Sequence, residues 1–129
     1  MRIILAILFS TVITNAYAVE KSYCAKSPPI KGACFTVHGK LFLALGTPTI
    51  RIWPVGTKRL LGVYNWGIDF DDTAPPNVLK LLNGDPPNDD PFATDIYGNY
   101  TVCPLEKQRK GWMRMVCMKS ATHLRAVPR

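Results

Sequence analysis

From Cys34 to Leu45 the apolar positions alternate with polar ones. Phe35, Val37, Leu41, Leu43 and Leu45 fall on one parity, and Thr36, His38 and Lys40 on the other. A period of two sends successive side chains to opposite faces of a strand, so this stretch predicts a half-buried β-strand. Gly39 sits on the apolar parity and predicts a bulge or sharp bend. Gly46-Thr47-Pro48 reads as a turn. Residues 49–55 then predict a second strand, with Ile50 and Ile52 inward, Arg51 and Trp53 outward, and Pro54 marking an edge or the strand's end. Gly56-Thr57-Lys58 turns the chain into a third predicted strand, residues 59–66.

The middle of the chain changes period. Between Pro76 and Gly84 the apolar residues Val78, Leu81 and Leu82 follow helical spacing. Thr73 or Asn77 is the expected N-cap, and Gly84 the stop, in the left-handed conformation. Asp85 to Pro91 contains three prolines and predicts a surface loop. Alternation returns over residues 96–105, with Ile96, Gly98, Tyr100 and Val102 on one parity, and over residues 112–119. The polar stretch from Glu106 to Gly111 predicts a hairpin connection between these two strands.

Three strands, a short helix and two more strands make a mainly β fold. This order resembles a five-stranded OB-type barrel, in which a helix separates strands 3 and 4; an open β-sandwich or roll fits the same elements. Fold class alone fixes no activity.

The N-terminus adds a compartment. Arg2 precedes an apolar run from Ile3 to Ile13, followed by Ala16-Tyr17-Ala18. A positive start, a short apolar run and small residues two apart predict a signal peptide, residues 1–18, cleaved before Val19. The apolar run spans roughly 17 Å as a helix, short of a hydrocarbon core of ~30 Å. No later stretch is long enough to span a membrane. The expectation is one small β-rich domain, residues 19–129, working in the periplasm or outside the cell.

Four cysteines follow the predicted cleavage site: Cys24, Cys34, Cys103 and Cys117. An even count in an exported chain of this size predicts two disulfides, and the absence of a C-x-x-C pair argues against zinc or a redox motif. A hairpin turn near Lys110 places Cys103 opposite Cys117. The preferred pairing is therefore Cys103–Cys117, which leaves Cys24–Cys34.

Charge is unevenly spread. The chain carries 16 Lys and Arg against 9 Asp and Glu, yet seven of the nine acids lie between Asp69 and Asp95. The flanks are basic, with no run of five or more cations, which reads first as a solvated surface. Asp69, Asp71 and Asp72, with Asp85, Asp89 and Asp90, do not match EF-hand spacing and read as turn residues, so no metal or cofactor is assigned. Ser22, Ser27, Ser120, His38 and His123 form no recognisable nucleophile motif. Asn99-Tyr100-Thr101 fits the glycosylation sequon.

Aromatic and basic residues interleave on the predicted strands. Arg51, Trp53, Tyr64, Trp66, Trp112 and Arg114 are the candidate ligand-binding residues, since such pairs stack against planar ligands or anchor interfaces. The functional expectation is an exported, non-enzymatic binding or adaptor module. Its expected partner is a protein or a cell-envelope polymer ahead of nucleic acid. A small secreted hydrolase or hydrolase inhibitor, and a structural envelope component, are the alternatives.

Overall fold

A computed structural model describes residues 23–84 and 90–129. The predicted signal peptide, Ser22, and most of the Asp85–Pro91 loop lie outside these residues. The strands are β1 (Phe35–Leu43), β2 (Ile50–Pro54), β3 (Leu61–Val63), β4 (Thr94–Pro104) and β5 (Arg114–Pro128). One helix, α1 (Pro76–Asn83), lies between β3 and β4. The strands close into a ring in the order β1-β2-β3-β5-β4. Neighbours run antiparallel except β3 and β5, which run parallel, with Leu61 beside Arg114 and Val63 beside Val116.

Alternation puts the core inside this ring. Leu41, Leu43, Ile50, Ile52, Val63, Ile96, Tyr100, Val102, Val116 and Met118 are all buried. Leu45 departs from its predicted parity: it stands 86% exposed in the loop after β1. The strand has already ended at Leu43, so parity no longer governs where Leu45 points. The predicted bulge at Gly39 is absent, since β1 pairs continuously through it with both Pro54 and Gly98. Its missing side chain serves a close approach instead: a Cβ there would lie 2.6 Å from Ile52 Cγ2 and 3.1 Å from the Trp53 carbonyl oxygen.

The helix closes one end of the ring. Val78 and Leu82 are fully buried, and Leu79 and Leu81 pack against the same core. Neither Thr73 nor Asn77 caps it. Pro75 takes the N-cap position and Pro76 the first helical position, where proline's missing N–H costs nothing. Thr73 instead donates its hydroxyl to the Phe70 carbonyl at 2.6 Å. Asn77 ties the helix to β5 by donating to the Ala121 carbonyl at 2.8 Å. Gly84 ends the helix with a positive φ of 76°.

Two elements differ in length from their sequence expectations. The third strand shrinks to three residues, while β5 runs nine residues past Lys119, to Pro128. The extension was hidden because β5 carries two bulges. Against β4 it advances three residues while β4 advances two between Tyr97 and Asn99, and two while β4 advances one between Thr101 and Val102. Each bulge inserts one unpaired residue. The inward positions Met118, Ala121 and Leu124 therefore recur every three residues rather than every two.

The disulfides correct the preferred pairing. Cys103 does lie opposite Cys117 in the β4–β5 register. The bridges, however, are Cys24–Cys117 and Cys34–Cys103. Strand order is the reason. β1 lies beside β4 with Phe35 opposite Val102, so Cys34, one residue earlier, falls next to Cys103 with Cα atoms 4.1 Å apart. Cys117 is then taken by Cys24, from the segment preceding β1. Two disulfides accord with an oxidising, non-cytoplasmic location. Among the described residues no helix is long and apolar enough to cross a membrane.

Candidate functional site

The β4–β5 loop is shaped by its own first residues. Leu105 N–H donates to the Met115 carbonyl at 3.0 Å, which starts the loop. Glu106 then accepts the Met115 N–H on Oε1 at 2.9 Å, and its carbonyl accepts Arg114 Nε at 3.0 Å. Trp112 N–H donates to the Arg109 carbonyl at 3.2 Å, and Gly111 supplies a φ of 77° that other residues rarely adopt. This turn sets Arg109 over the indole of Trp112, with 4.6 Å from guanidinium carbon to ring centroid. Trp112 is 64% exposed.

Across from this loop lies the end of the β2–β3 connection. The Arg114 N–H bonds the Leu60 carbonyl at 3.2 Å and holds the two together. A groove of about 610 Å³ opens between them, lined by Lys58, Arg59 and Leu60 on one side and residues 108–113 on the other. Four of its lining residues are cations (Lys58, Arg59, Arg109 and Lys110), and none is a carboxylate. Its volume falls within the range of small-ligand sites, roughly 300–1,000 Å³.

The six aromatic and basic residues singled out from sequence fall in separate places. Only Trp112 lines the groove. Arg114 lies at the start of β5 and turns to the Glu106 carbonyl and the Phe35 ring, 5.6 Å to its centroid. Arg51 donates through Nε to the Pro48 carbonyl at 3.1 Å, and so braces the β1–β2 loop. Trp53 is half-buried, donates its indole N–H to the Thr57 carbonyl at 2.8 Å, and carries Lys40 over its ring. Tyr64 and Trp66 pack at a tilt of 46° with ring centroids 5.0 Å apart at the exit of β3, where Tyr64 packs on the disulfide cluster.

The outer face between Arg51 and the groove is covered. Gly62 faces outward on β3, and a Cβ there would meet Pro48 Cγ at 2.6 Å and both Met113 Sδ and Met115 Sδ at 3.0 Å. Pro48, held by a cis Thr47–Pro48 bond, and the two methionines thus roof the centre of β2–β3. The open surface is shifted to the loop end. Gln108 carries no signal in the sequence, and Lys58, Arg59, Arg109 and Lys110 read there only as part of a solvated basic surface. Their signal was position: two basic clusters, each at a turn that precedes a strand, β3 or β5.

The other candidate chemistry is dispersed. His38 Nδ1 bonds Asn99 Oδ1 at 3.2 Å on the exposed face, and His123 Nδ1 bonds Thr122 Oγ1 at 3.3 Å. Ser27 donates to the Cys24 carbonyl. Asp72 pairs with Lys26 at 2.9 Å, Asp90 accepts the Phe92 N–H, and Asp95 lies 3.4 Å from Arg129 Nε. These carboxylates serve an exposed long-range ion pair, a turn and a strand end, each in a different place. Comparison of the chain with family models, curated proteins and solved structures returns no match.

Proposed function

We propose that this is an exported, non-enzymatic binding module that holds an anionic cell-envelope polymer in the groove beside Trp112. The observation that carries the reading is the groove's composition: four cations, one exposed indole and no carboxylate. Cations attract a polyanion and an indole face stacks on a ring, whereas hydrolysis by paired carboxylates needs two of them in one cleft. A concave lining also suits a chain of sugars better than a flat lipid surface. Single-strand nucleic acid sites use successive aromatics for successive bases, and this groove offers one.

We further read the ring as an OB-type barrel. The strand order, the parallel β3–β5 pair and the helix between β3 and β4 support this. In that fold ligands occupy the strand 2–3 face and the loops joining strands 1–2 and 4–5. Here Pro48 and the methionines cover the face, and the 4–5 loop is left as the ligand contact. Export rests on the leader pattern, Arg2 through Ala18, together with the disulfides.

The test is binding of the oxidised protein to a uronic-acid polysaccharide and to a neutral polysaccharide of similar length, across a salt series. The expected result is selective, salt-sensitive retention by the acidic polymer, weakened at least tenfold in the Lys58→Glu/Lys110→Glu double variant. Equal binding of both polymers, or no effect of the double variant, contradicts the reading.

A further inference from the structure

Four sulfurs meet where β1, β4 and β5 come together. Two of them are buried: Cys103 is 1% and Cys117 2% exposed. Cys34 is exposed, and Cys24 half-buried. The two bridges are not independent in space, because the Sγ atoms of Cys24, Cys103 and Cys117 all lie within 4.8 Å of one another. Cys103 and Cys117 are also direct partners across β4 and β5, a spacing that a disulfide can bridge. A thiolate released from either bridge therefore finds the other bridge's buried sulfur within one side-chain rotation.

We infer that the cluster is a thiol-exchange site, with Cys34, the exposed cysteine of the four, accepting a small monothiol. The external thiolate attacks Cys34 Sγ; the Cys34–Cys103 bond breaks, and Cys103 leaves as a thiolate. Cys103 then attacks Cys117 Sγ; the Cys24–Cys117 bond breaks and Cys24 leaves as a thiolate, which takes up the proton given up by the incoming thiol. The products are a mixed disulfide on Cys34, a Cys103–Cys117 bridge and a Cys24 thiol. The number of disulfide bonds stays at two, the mixed one included, because the incoming thiol replaces one protein sulfur and no oxidant is needed. Attack at Cys24 instead releases Cys117, which attacks Cys103 and frees Cys34, so both routes converge on the same buried bridge. Access and the identity of the attacked sulfur control such exchanges, and here both favour the outer cysteines as entry points.

The consequence is directional. β4 and β5 remain stapled through Cys103–Cys117, while residues 23–33 lose their disulfide tie to β5 and stay joined to the ring only through the main chain into β1. That segment keeps its backbone bond from Lys31 N–H to the Pro104 carbonyl at 2.8 Å and the Lys26–Asp72 pair. The exchange thus converts a disulfide-pinned N-terminal segment into one held by weak contacts, beside Tyr64.

The oxidised protein is treated with limiting glutathione without denaturant, quenched in acid, alkylated and mapped by peptide mass. The expected species with one glutathione carries it on Cys34 or Cys24, has the other of these two alkylated, and contains a Cys103–Cys117 bridge. The same treatment in urea is expected to scatter the pairings. A one-glutathione species that keeps Cys24–Cys117 or Cys34–Cys103, with a buried cysteine alkylated, overturns the inference. So does failure to take up glutathione at concentrations that open the bridges in urea.

Discussion

Tyr100 shows how much one buried side chain carries in this ring. It is the bulkiest residue with no exposure, and its hydroxyl donates to the Ile96 carbonyl at 2.6 Å. Burial penalises the phenolate and pushes the Tyr100 pKa well above the usual tyrosine value. The sign follows from proton counting: above the unfolded value of ~10 the unfolded chain releases this proton and the native state keeps it. Tyr100 therefore adds a loss of stability that grows as pH rises past ~10. Tyr100→Phe is expected to flatten that alkaline decline in urea titrations between about pH 8 and 11, at a cost of about 1 kcal/mol near neutrality for the lost hydrogen bond. An unchanged alkaline slope contradicts this. Tyr100 was legible in the sequence, because its parity matched Ile96 and Val102. Arg51 and Arg114 were not, since their roles lie in carbonyls that only the folded loops present, those of Pro48 and Glu106.

Among the elements, regular strands were readable and irregular ones were not. β1, β2 and the middle of β4, from Ile96 to Val102, follow alternation and their burial matches it, whereas both parities are buried at the two ends of β4. The second half of β5 escaped because two bulges turn its period into three, with His123 at a φ of 54° in one of them. The cysteine pairing failed for a related reason. It depended on β1 lying beside β4, a contact between elements about sixty residues apart that local pattern does not encode. Gly39 and Gly98 are partners in that β1–β4 pair and both face inward, where any added atom meets a neighbour. Gly39→Ala is expected to destabilise the protein by about 1–3 kcal/mol, as overpacking does. Chemical denaturation checks this, and a change near zero would mean that β1 shifts freely and that the close approach has no energetic weight.

For the whole molecule, covalent and electrostatic organisation run together. The bridges span sequence separations of 93 and 69 residues, so each ties distant parts of the chain and restricts the unfolded state by about 4–5 kcal/mol in the chain-entropy view. They gather at the meeting of β1, β4 and β5. The cationic groove forms where the β2–β3 and β4–β5 connections face each other, because β3 and β5 run parallel and start side by side. Parallel pairing thus brings two basic turns, some fifty residues apart in sequence, to one rim. The sequence displayed both turns but not their adjacency. In the proposed function this rim is where the polymer binds. Backbone amide shift mapping with a uronic-acid oligosaccharide tests it most directly. Shifts concentrated at residues 58–60 and 108–113, with the Trp112 indole among the largest, are the expected result. Shifts confined to the outer face of β1 and β4, or centred on Tyr64 and Trp66, would contradict it.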